Sequence, residues 1–115
     1  TSPLISVDTY KEIIKLWKEG EENIVTGSYV KHHMWLDGKP INYSITNSPN
    51  SQDLPDIIAL NYACNIISRK NMLKFKNIIT DKPYFYILDE IESVDIDTEF
   101  DFMIAEKLYL QLEEI

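Results

Sequence analysis

The sequence predicts an α/β fold, and three observations lead to this prediction. Apolar residues recur at helical spacing near the start of the chain and again at its end. Between these two segments lie runs of β-branched and aromatic residues, which are typical of strands. An Asp-Gly pair marks a hairpin turn. Because helical and strand segments alternate along the chain, we expect roughly three or four strands of mixed direction with helices packed on the sheet.

The first predicted elements are a helix and a strand. Ser6 or Asp8 can cap the helix, and Gly20 supplies its stop. Residues 23–30 follow as a strand that is rich in β-branched residues. The helix has an amphipathic pattern, with apolar positions at Val7, Tyr10, Ile13, Ile14 and Trp17.

Residues 31–55 are predicted to form a projecting arm. Asp37-Gly38 is a strong turn signal for a β-hairpin, and a long polar stretch follows the hairpin. Loops of this length often contact a partner. Trp35 and Tyr43 flank the turn, so they can pack against each other across the hairpin or anchor a subunit interface.

The C-terminal part is predicted to hold two more strands and two helices. Two apolar segments, residues 62–67 and residues 84–88, are predicted to be strands. A short helix or turn is predicted for residues 69–76. The last helix covers residues 98–113. Its apolar residues Phe100, Met103, Ile104 and Leu108 share one face.

The acidic run at residues 94–101 carries the strongest functional signal. Asp95 and Asp97 are two positions apart, so their side chains point to the same side of an extended strand end. Two carboxylates on one side make a hard-oxygen site that suits Mg²⁺. Thr98 and Asp101 can form a capping box at the helix that follows. The alternative interpretation is that these residues only begin a helix.

Composition limits the possible partners. The 115 residues are 44% hydrophobic and 26% charged, which is typical of a folded domain with a modest core. The 19 acidic and 11 basic residues give a net charge of −8. This argues against binding to nucleic acid, which needs a basic face. It does not exclude nucleotides, because a metal ion can bridge carboxylates to phosphates.

The single cysteine indicates a compartment. Cys64 lies in an apolar stretch and is expected to be a buried small hydrophobe rather than a nucleophile. One cysteine cannot form an internal disulfide, which favours a reducing environment. No run of 18 apolar residues and no signal-peptide pattern is visible in the sequence. We therefore expect a cytoplasmic protein that does not interact with membranes.

Four motifs occur in a recognisable order: Thr1-Ser2-Pro3-Leu4 before an amphipathic helix, His32-His33 after a strand, Leu54-Pro55 leading to Asn61, and Asp95-Ile96-Asp97-Thr98-Glu99. In this order the chain resembles the C-terminal half of acylneuraminate cytidylyltransferases, the CMP-sialic acid synthetases. The similarity covers essentially the whole chain, and the Asp-Ile-Asp-Thr-Glu run is its most specific motif.

This resemblance implies a fold, a reaction and partners. Residues 1–115 would be a single partial domain, the C-terminal part of a nucleotide-diphospho-sugar-transferase-like, Rossmann-like three-layer α/β fold. Residues 31–55 would be a dimerisation arm that binds a second copy of the chain. The family transfers CMP from CTP to a sialic acid-like sugar acid, releases pyrophosphate and needs Mg²⁺.

The resemblance also assigns site residues. Asp95 and Asp97 would hold Mg²⁺, with Asp97 as the first choice for a direct ligand and for the catalytic residue. Asn61 matches the asparagine of the family's Asn-Gly-Ala-Ile-Tyr pattern, and its amide can donate to a sugar carboxylate or hydroxyl while accepting from another group. Asn65 falls at the tyrosine of that pattern, and Gln52 would lie at the lip of the sugar pocket. Both are therefore candidate substrate-binding residues.

Departures from the family pattern leave other functions open. Tyr62 follows Asn61 where the family has glycine, Ala59 lies in a segment where an arginine is common, and Met34 follows the paired histidines where a basic residue is common. The loss of these cations would mean another sugar acid, another source of positive charge or an inactive protein. It also leaves open a nucleotidyltransferase that acts on another sugar acid or on a sugar phosphate.

The family's Gly-rich basic loop, which cradles the triphosphate, has no match in this sequence. The segment alone is therefore not expected to catalyse the reaction. Because the chain opens without methionine, we interpret it as a fragment or a processed chain. The alternative from a different class is a non-catalytic assembly module that pairs through the arm.

Overall fold

The computed structural model describes residues 1–114 and shows a mixed α/β protein. Its contacts define two compact units. The first, called the body, comprises Thr1–Ser28 and the residues from Leu60 onward, and the second, called the hairpin unit, is Tyr29–Ala59. The elements in chain order are α1 (Val7–Lys18), β1 (Asn23–Val30), β2 (Trp35–Leu36), β3 (Lys39–Pro40), a 3₁₀ turn (Ser51–Asp53), β4 (Ile57–Ile67), α2 (Arg69–Phe75), β5 (Tyr84–Ile87) and α3 (Glu99–Glu113).

A three-stranded sheet of order β4-β1-β5 organises the body. Strands β1 and β5 are parallel, in register from Ile24 opposite Tyr84 to Gly27 opposite Ile87. Strand β4 runs the other way, because it contacts the start of β1 near its own end, where the Ser68 N–H donates to the carbonyl of Glu22 at 3.2 Å. The predicted mixed sheet is therefore confirmed.

The buried core of the body includes residues of α1 and β1. Ser6 is the N-cap of α1, since its hydroxyl accepts from the Thr9 N–H at 3.1 Å. This is one of the two caps that the sequence predicts. Ile13 of α1 is completely buried, and so are the β1 residues Ile24, Val25 and Thr26.

Helix α3 starts where the sequence predicts but packs through a different face. Much of the predicted apolar face is exposed to solvent: Phe100 is 69% exposed and Met103 is 57% exposed. The helix instead buries Ala105, whose side chain is 3% exposed. A small residue lets a helix approach its neighbour closely, which the spacing of large apolar residues does not reveal. None of the helices within residues 1–114 is long and apolar enough to cross a membrane.

The hairpin unit has its turn at the predicted Asp-Gly pair. Asp37 and Gly38 both have positive φ, 51° and 77°, as a two-residue hairpin turn of the primed type requires. Strands β2 and β3 are only two residues each. The Met34 N–H donates to the side-chain Oδ1 of Asn42 at 2.9 Å. This side-chain bond stands where a longer hairpin would have a bond between the backbones of its two strands.

The two aromatic residues that flank the turn contact each other. The Trp35 Nε1–H donates to the Tyr43 hydroxyl at 2.7 Å, and the two rings meet edge to face with centroids 6.3 Å apart. Trp35 nevertheless remains about half exposed. The pair therefore stabilises the hairpin itself and still offers an apolar surface to solvent.

Candidate functional site

The two candidate metal ligands lie in the loop between β5 and α3, residues 88–98, which we call the acidic loop. The sequence places Asp95 and Asp97 at a strand end, but β5 already ends at Ile87 and a turn at residues 90–93 follows it. The predicted extended strand end is therefore wrong, while the placement between a strand and a helix is confirmed. Residues two positions apart point to the same side in a strand but not in a loop. The positions of the Asp95 and Asp97 side chains therefore depend on the contacts of the loop.

Backbone hydrogen bonds hold the acidic loop on its N-terminal side. The turn is closed by the Ser93 N–H, which donates to the carbonyl of Asp89 at 3.0 Å. Between the two aspartates, the Ile96 N–H donates to the carbonyl of Thr1 at 2.8 Å. The two most specific motifs of the sequence, at the opposite ends of the chain, therefore meet at this point.

The predicted capping box holds the C-terminal side of the loop. Asp101 Oδ2 accepts from the N–H groups of Asp97 and Thr98, both at 3.0 Å, and the Asp101 N–H donates to the Thr98 hydroxyl at 3.1 Å. These bonds, above all the one from Asp97, lower the pKa of the Asp101 carboxyl. The backbone of Asp97 is thus fixed, while its side chain is exposed.

Asp95 is partly buried and carries an unsatisfied oxygen. Its Oδ1 is shielded from solvent and has no hydrogen-bond partner among the described residues. A buried carboxylate oxygen without a partner is costly, so an oxygen in this state is a candidate ligand atom.

Asp95 and Asp97 carry carboxylate oxygens, the type of ligand that Mg²⁺ prefers. Mg²⁺ is usually held by one or two carboxylates and completes its shell with water and substrate phosphates. Within residues 1–114 no cluster of three or more His, Cys, Asp and Glu side chains is placed to hold an ion. A dedicated all-protein metal cage is therefore not present in this range.

Asn61 on β4 carries a second unsatisfied buried atom. Its Oδ1 accepts from the Thr26 hydroxyl at 2.8 Å and from the Ala63 N–H at 3.1 Å. The Ala63 N–H can only donate, which fixes the orientation of the amide. Asn61 Nδ2 then remains buried without a partner. Within the described part of the chain, the two unsatisfied buried side-chain atoms belong to Asn61 and Asp95, which are both candidates from the sequence.

The sheet register relates Asn61 to the acidic loop. Asn61 bonds to Thr26 of β1, and Thr26 pairs with Tyr86 of the parallel strand β5. Just beyond this pair, the Leu88 N–H donates to the carbonyl of Gly27 at 2.8 Å, and the acidic loop begins. Asn61 therefore bonds to β1 one residue before Gly27, which pairs with the last residue of β5, and the acidic loop follows directly after β5.

The other two candidates from the sequence are placed differently. Both polar atoms of the Asn65 amide are engaged inside the body: Oδ1 accepts from Asn23 Nδ2 at 3.2 Å, and Nδ2 donates to the carbonyl of Ile78 at 2.9 Å. Gln52 lies exposed in the 3₁₀ turn of the hairpin unit. Their roles in substrate binding remain predictions.

Two residues that the sequence did not single out support the site. Thr26 orients the Asn61 amide through its hydroxyl. Glu92 accepts from the Ser6 N–H at 2.8 Å and from the Thr9 hydroxyl at 2.8 and 2.9 Å. The one sequence signal for Glu92 is its position next to the acidic run, and nothing in a strand sequence marks the role of Thr26.

Cys64 is not a candidate nucleophile in this structure. Its thiol is free and partly buried, and burial raises the pKa of the thiol. A raised pKa reduces the fraction of thiolate, which is the reactive form. The structure thus agrees with the sequence-based expectation of a small hydrophobic residue.

Tyr62, next to Asn61, adopts a strained backbone conformation. Its φ is 53° within β4, in the left-handed region that favours glycine. The family pattern that the sequence resembles has glycine at this position. Glycine would adopt this conformation without the strain that a tyrosine side chain brings.

We expect Tyr62→Gly to be more stable than Tyr62→Ala by about 1 kcal/mol, because the left-handed conformation is unfavourable for alanine and not for glycine. Urea unfolding of the two variants measures the difference. Phe85, which is similarly exposed in β5, is the matched control: there the alanine variant should be the more stable one. The same order at both positions would contradict the strain at Tyr62.

Comparison of the chain with models of known protein families and with curated proteins finds no match.

Proposed function

We propose that this chain is the C-terminal portion of a cytoplasmic cytidylyltransferase with a Rossmann-like fold. The enzyme would transfer CMP from CTP to a sialic acid-like sugar acid and release pyrophosphate, with Mg²⁺ as cofactor. One observation carries the proposal. The buried polar side-chain atoms that lack partners in residues 1–114 lie on Asn61 and Asp95, a residue for the sugar and a residue for the metal in the resembled family.

Asp95 and Asp97 would hold the metal in this proposal. When bound, Mg²⁺ would neutralise the charge that develops on the α-phosphate and on the departing pyrophosphate. The protein contributes the position of the carboxylates: Asp101 fixes the backbone at Asp97, and the Ile96–Thr1 hydrogen bond fixes the segment between the two ligands. Such fixation means that little reorganisation is needed when substrate arrives.

Asn61 would bind the sugar acid as a hydrogen-bond donor. Its oxygen is already used by Thr26 and Ala63, so only Nδ2 is free to contact a ligand. A group that can only donate selects an acceptor, such as a carboxylate or a hydroxyl oxygen of the sugar. This role would place the sugar beside β4.

The backbone at Tyr62 supports the proposal independently of the aspartates. A left-handed residue in this strand is not required by hydrophobic patterning, yet it occurs where the resembled pattern has glycine. Strained positions of this kind cluster near functional sites.

The decisive experiment is to measure pyrophosphate release from CTP by the full-length protein with a panel of sugar acids and sugar phosphates. We expect Mg²⁺-dependent release with a sialic acid-like sugar. Asn61→Ala should raise the KM for the sugar by about 10-fold and leave the KM for CTP unchanged, because the lost hydrogen bond contacts only the sugar. Release with a sugar phosphate alone would assign a different nucleotidyltransferase, and no release with any substrate would overturn the proposal.

A second candidate function is a non-catalytic assembly module, and the surface of the hairpin unit favours it. Several large apolar side chains of this unit are exposed, among them Leu36 at 62% and Ile45 at 66%. Exposed apolar groups that lie close together in a short segment often mark an interaction surface. The same surface would form the homodimer contact in the enzyme.

We expect Leu36→Asp to weaken self-association by about 10-fold or more, because it places a charge in an apolar contact. Sedimentation equilibrium of the full-length protein measures the dimer constant. Lys39→Glu, a charge change in the same hairpin, is the control and should have a small effect. If the unsubstituted protein is a monomer, the proposed dimer is contradicted. If it is a dimer that shows no turnover, the assembly module is favoured.

A further inference from the structure

Glu92 connects the acidic loop to the first turn of helix α1. Its carboxylate accepts from the Ser6 N–H at 2.8 Å and from the hydroxyl of Thr9 at 2.8 and 2.9 Å. Ser6 is the N-cap of α1 and Thr9 is buried in its first turn. A side chain from the far end of the chain therefore completes the N-terminus of a helix that begins the body.

The position favours a carboxylate for a physical reason. The first N–H groups of a helix have no partner inside the helix, and the helix dipole is positive at this end. The Ser6 hydroxyl already satisfies the Thr9 N–H. Glu92 adds a charged acceptor for the Ser6 N–H and for the Thr9 hydroxyl, and hydrogen bonds to a charged group are stronger than neutral ones.

The main chain at Glu92 is fixed as well. The Glu92 N–H donates to Asp89 Oδ1 at 2.8 Å, in the turn that directly follows β5. Glu92 is thus held from the strand side through its backbone and from the helix side through its carboxylate. It anchors the acidic loop shortly before Asp95, in the same way that Asp101 anchors the loop shortly after Asp97.

We propose that Glu92 is a positioning residue for Asp95 and Asp97. This rests on the proposed function, because it takes the two aspartates as metal ligands. Glu92 keeps the turn docked on α1 and thereby fixes the start of the segment that carries Asp95 and Asp97. Without the anchor the loop relaxes, and the Asp95 oxygen finds solvent or a backbone N–H in place of the metal.

The test is to measure Mn²⁺ binding to the full-length protein from the electron paramagnetic resonance signal of the free ion. Glu92→Ala should weaken Mn²⁺ binding by about 10-fold, as is typical when a group that orients metal ligands is removed. Glu92→Gln should recover most of the affinity, since its amide oxygen can still accept from the Ser6 N–H. Glu90→Gln makes the same charge change at an exposed position of the same turn and should stay within about twofold of the parent protein.

The pattern across the variants separates positioning from a general loss of charge or of folding. If Glu90→Gln weakens Mn²⁺ binding as much as Glu92→Ala does, the effect is one of long-range charge, and the positioning role is overturned. If Glu92→Ala does not fold, Thr9→Val replaces it: this change keeps the shape of the residue but removes the hydroxyl that donates to Glu92, and it should weaken Mn²⁺ binding by about threefold. Unchanged affinity in the folded variant would overturn the inference.

The outcome for the parent protein tests the proposed function separately. If the parent binds Mn²⁺ and Asp97→Asn does not, the metal site stands, and an unchanged affinity in the Glu92 variants refutes only the positioning role. If the folded parent protein does not bind Mn²⁺ in the presence of CTP, the metal site and the positioning role both fail.

Discussion

Replacing Asp95 with asparagine is expected to abolish Mg²⁺-dependent turnover of the full-length protein and at the same time to stabilise the metal-free protein. Turnover should fall by about 100-fold or more, because one of two charged ligands is lost. Stability without metal should rise by about 1 kcal/mol, because a buried oxygen without a partner no longer carries charge. Pyrophosphate release and urea unfolding with a chelator present measure the two effects.

Asp97→Asn is the matched control for the stability effect. The Asp97 side chain is exposed, so its neutralisation should remove metal binding without a gain in stability. If Asp95→Asn destabilised the metal-free protein and left turnover intact, Asp95 would be a structural residue. The proposed metal site would then be wrong.

Asn23→Ala is expected to lower the free energy of unfolding by about 3 kcal/mol, a large loss for a single polar substitution. Asn23 is 3% exposed and its amide joins three segments of the body. Its Nδ2 donates to Asn65 Oδ1 at 3.2 Å and to the carbonyl of Ile66 at 3.0 Å, and its Oδ1 accepts from the Thr80 N–H at 2.8 Å. The substitution leaves these groups buried or partly buried without partners.

Two comparison variants make the Asn23 result specific. Asn77→Ala removes an amide that bonds only to the N–H of the next residue in an exposed loop, so its effect should be below about 0.5 kcal/mol. Asn65→Ala removes the shared bond to Asn23 and the bond to Ile78 and should fall between the two. Urea unfolding measures all three, and an Asn23→Ala effect no larger than that of Asn77→Ala would contradict the network.

Much of the fold could be predicted because its signals are local. The N-cap at Ser6, the capping box of Thr98 and Asp101, and the two-residue turn at Asp37-Gly38 all depend on side-chain chemistry within a few residues. Strand β1 matches the predicted residues 23–30 for the same reason. Strand β4 is longer than the predicted residues 62–67 and begins at Ile57, because the polar residue Asn61 does not interrupt the apolar strand.

The candidate site could be predicted in its residue types but not in its geometry. Asp95 and Asp97 stand out as a pair in the sequence, yet the assumption of an extended strand end was wrong because β5 ends at Ile87. The exposed apolar face of α3 is a similar case: periodicity shows which residues share a face, while packing on Ala105 decides which face is buried.

The order of residues alone specifies the helix caps, the hairpin turn and the acidic character of the loop, because each arises from interactions between near neighbours in the chain. The folded arrangement specifies the rest: the Thr1 carbonyl that receives the Ile96 N–H, the Glu92 carboxylate at the start of α1, and the atoms of Asn61 and Asp95 that remain without partners. These features depend on groups that are distant in sequence and become neighbours only when strands pair and helices dock, so no local pattern could have revealed them.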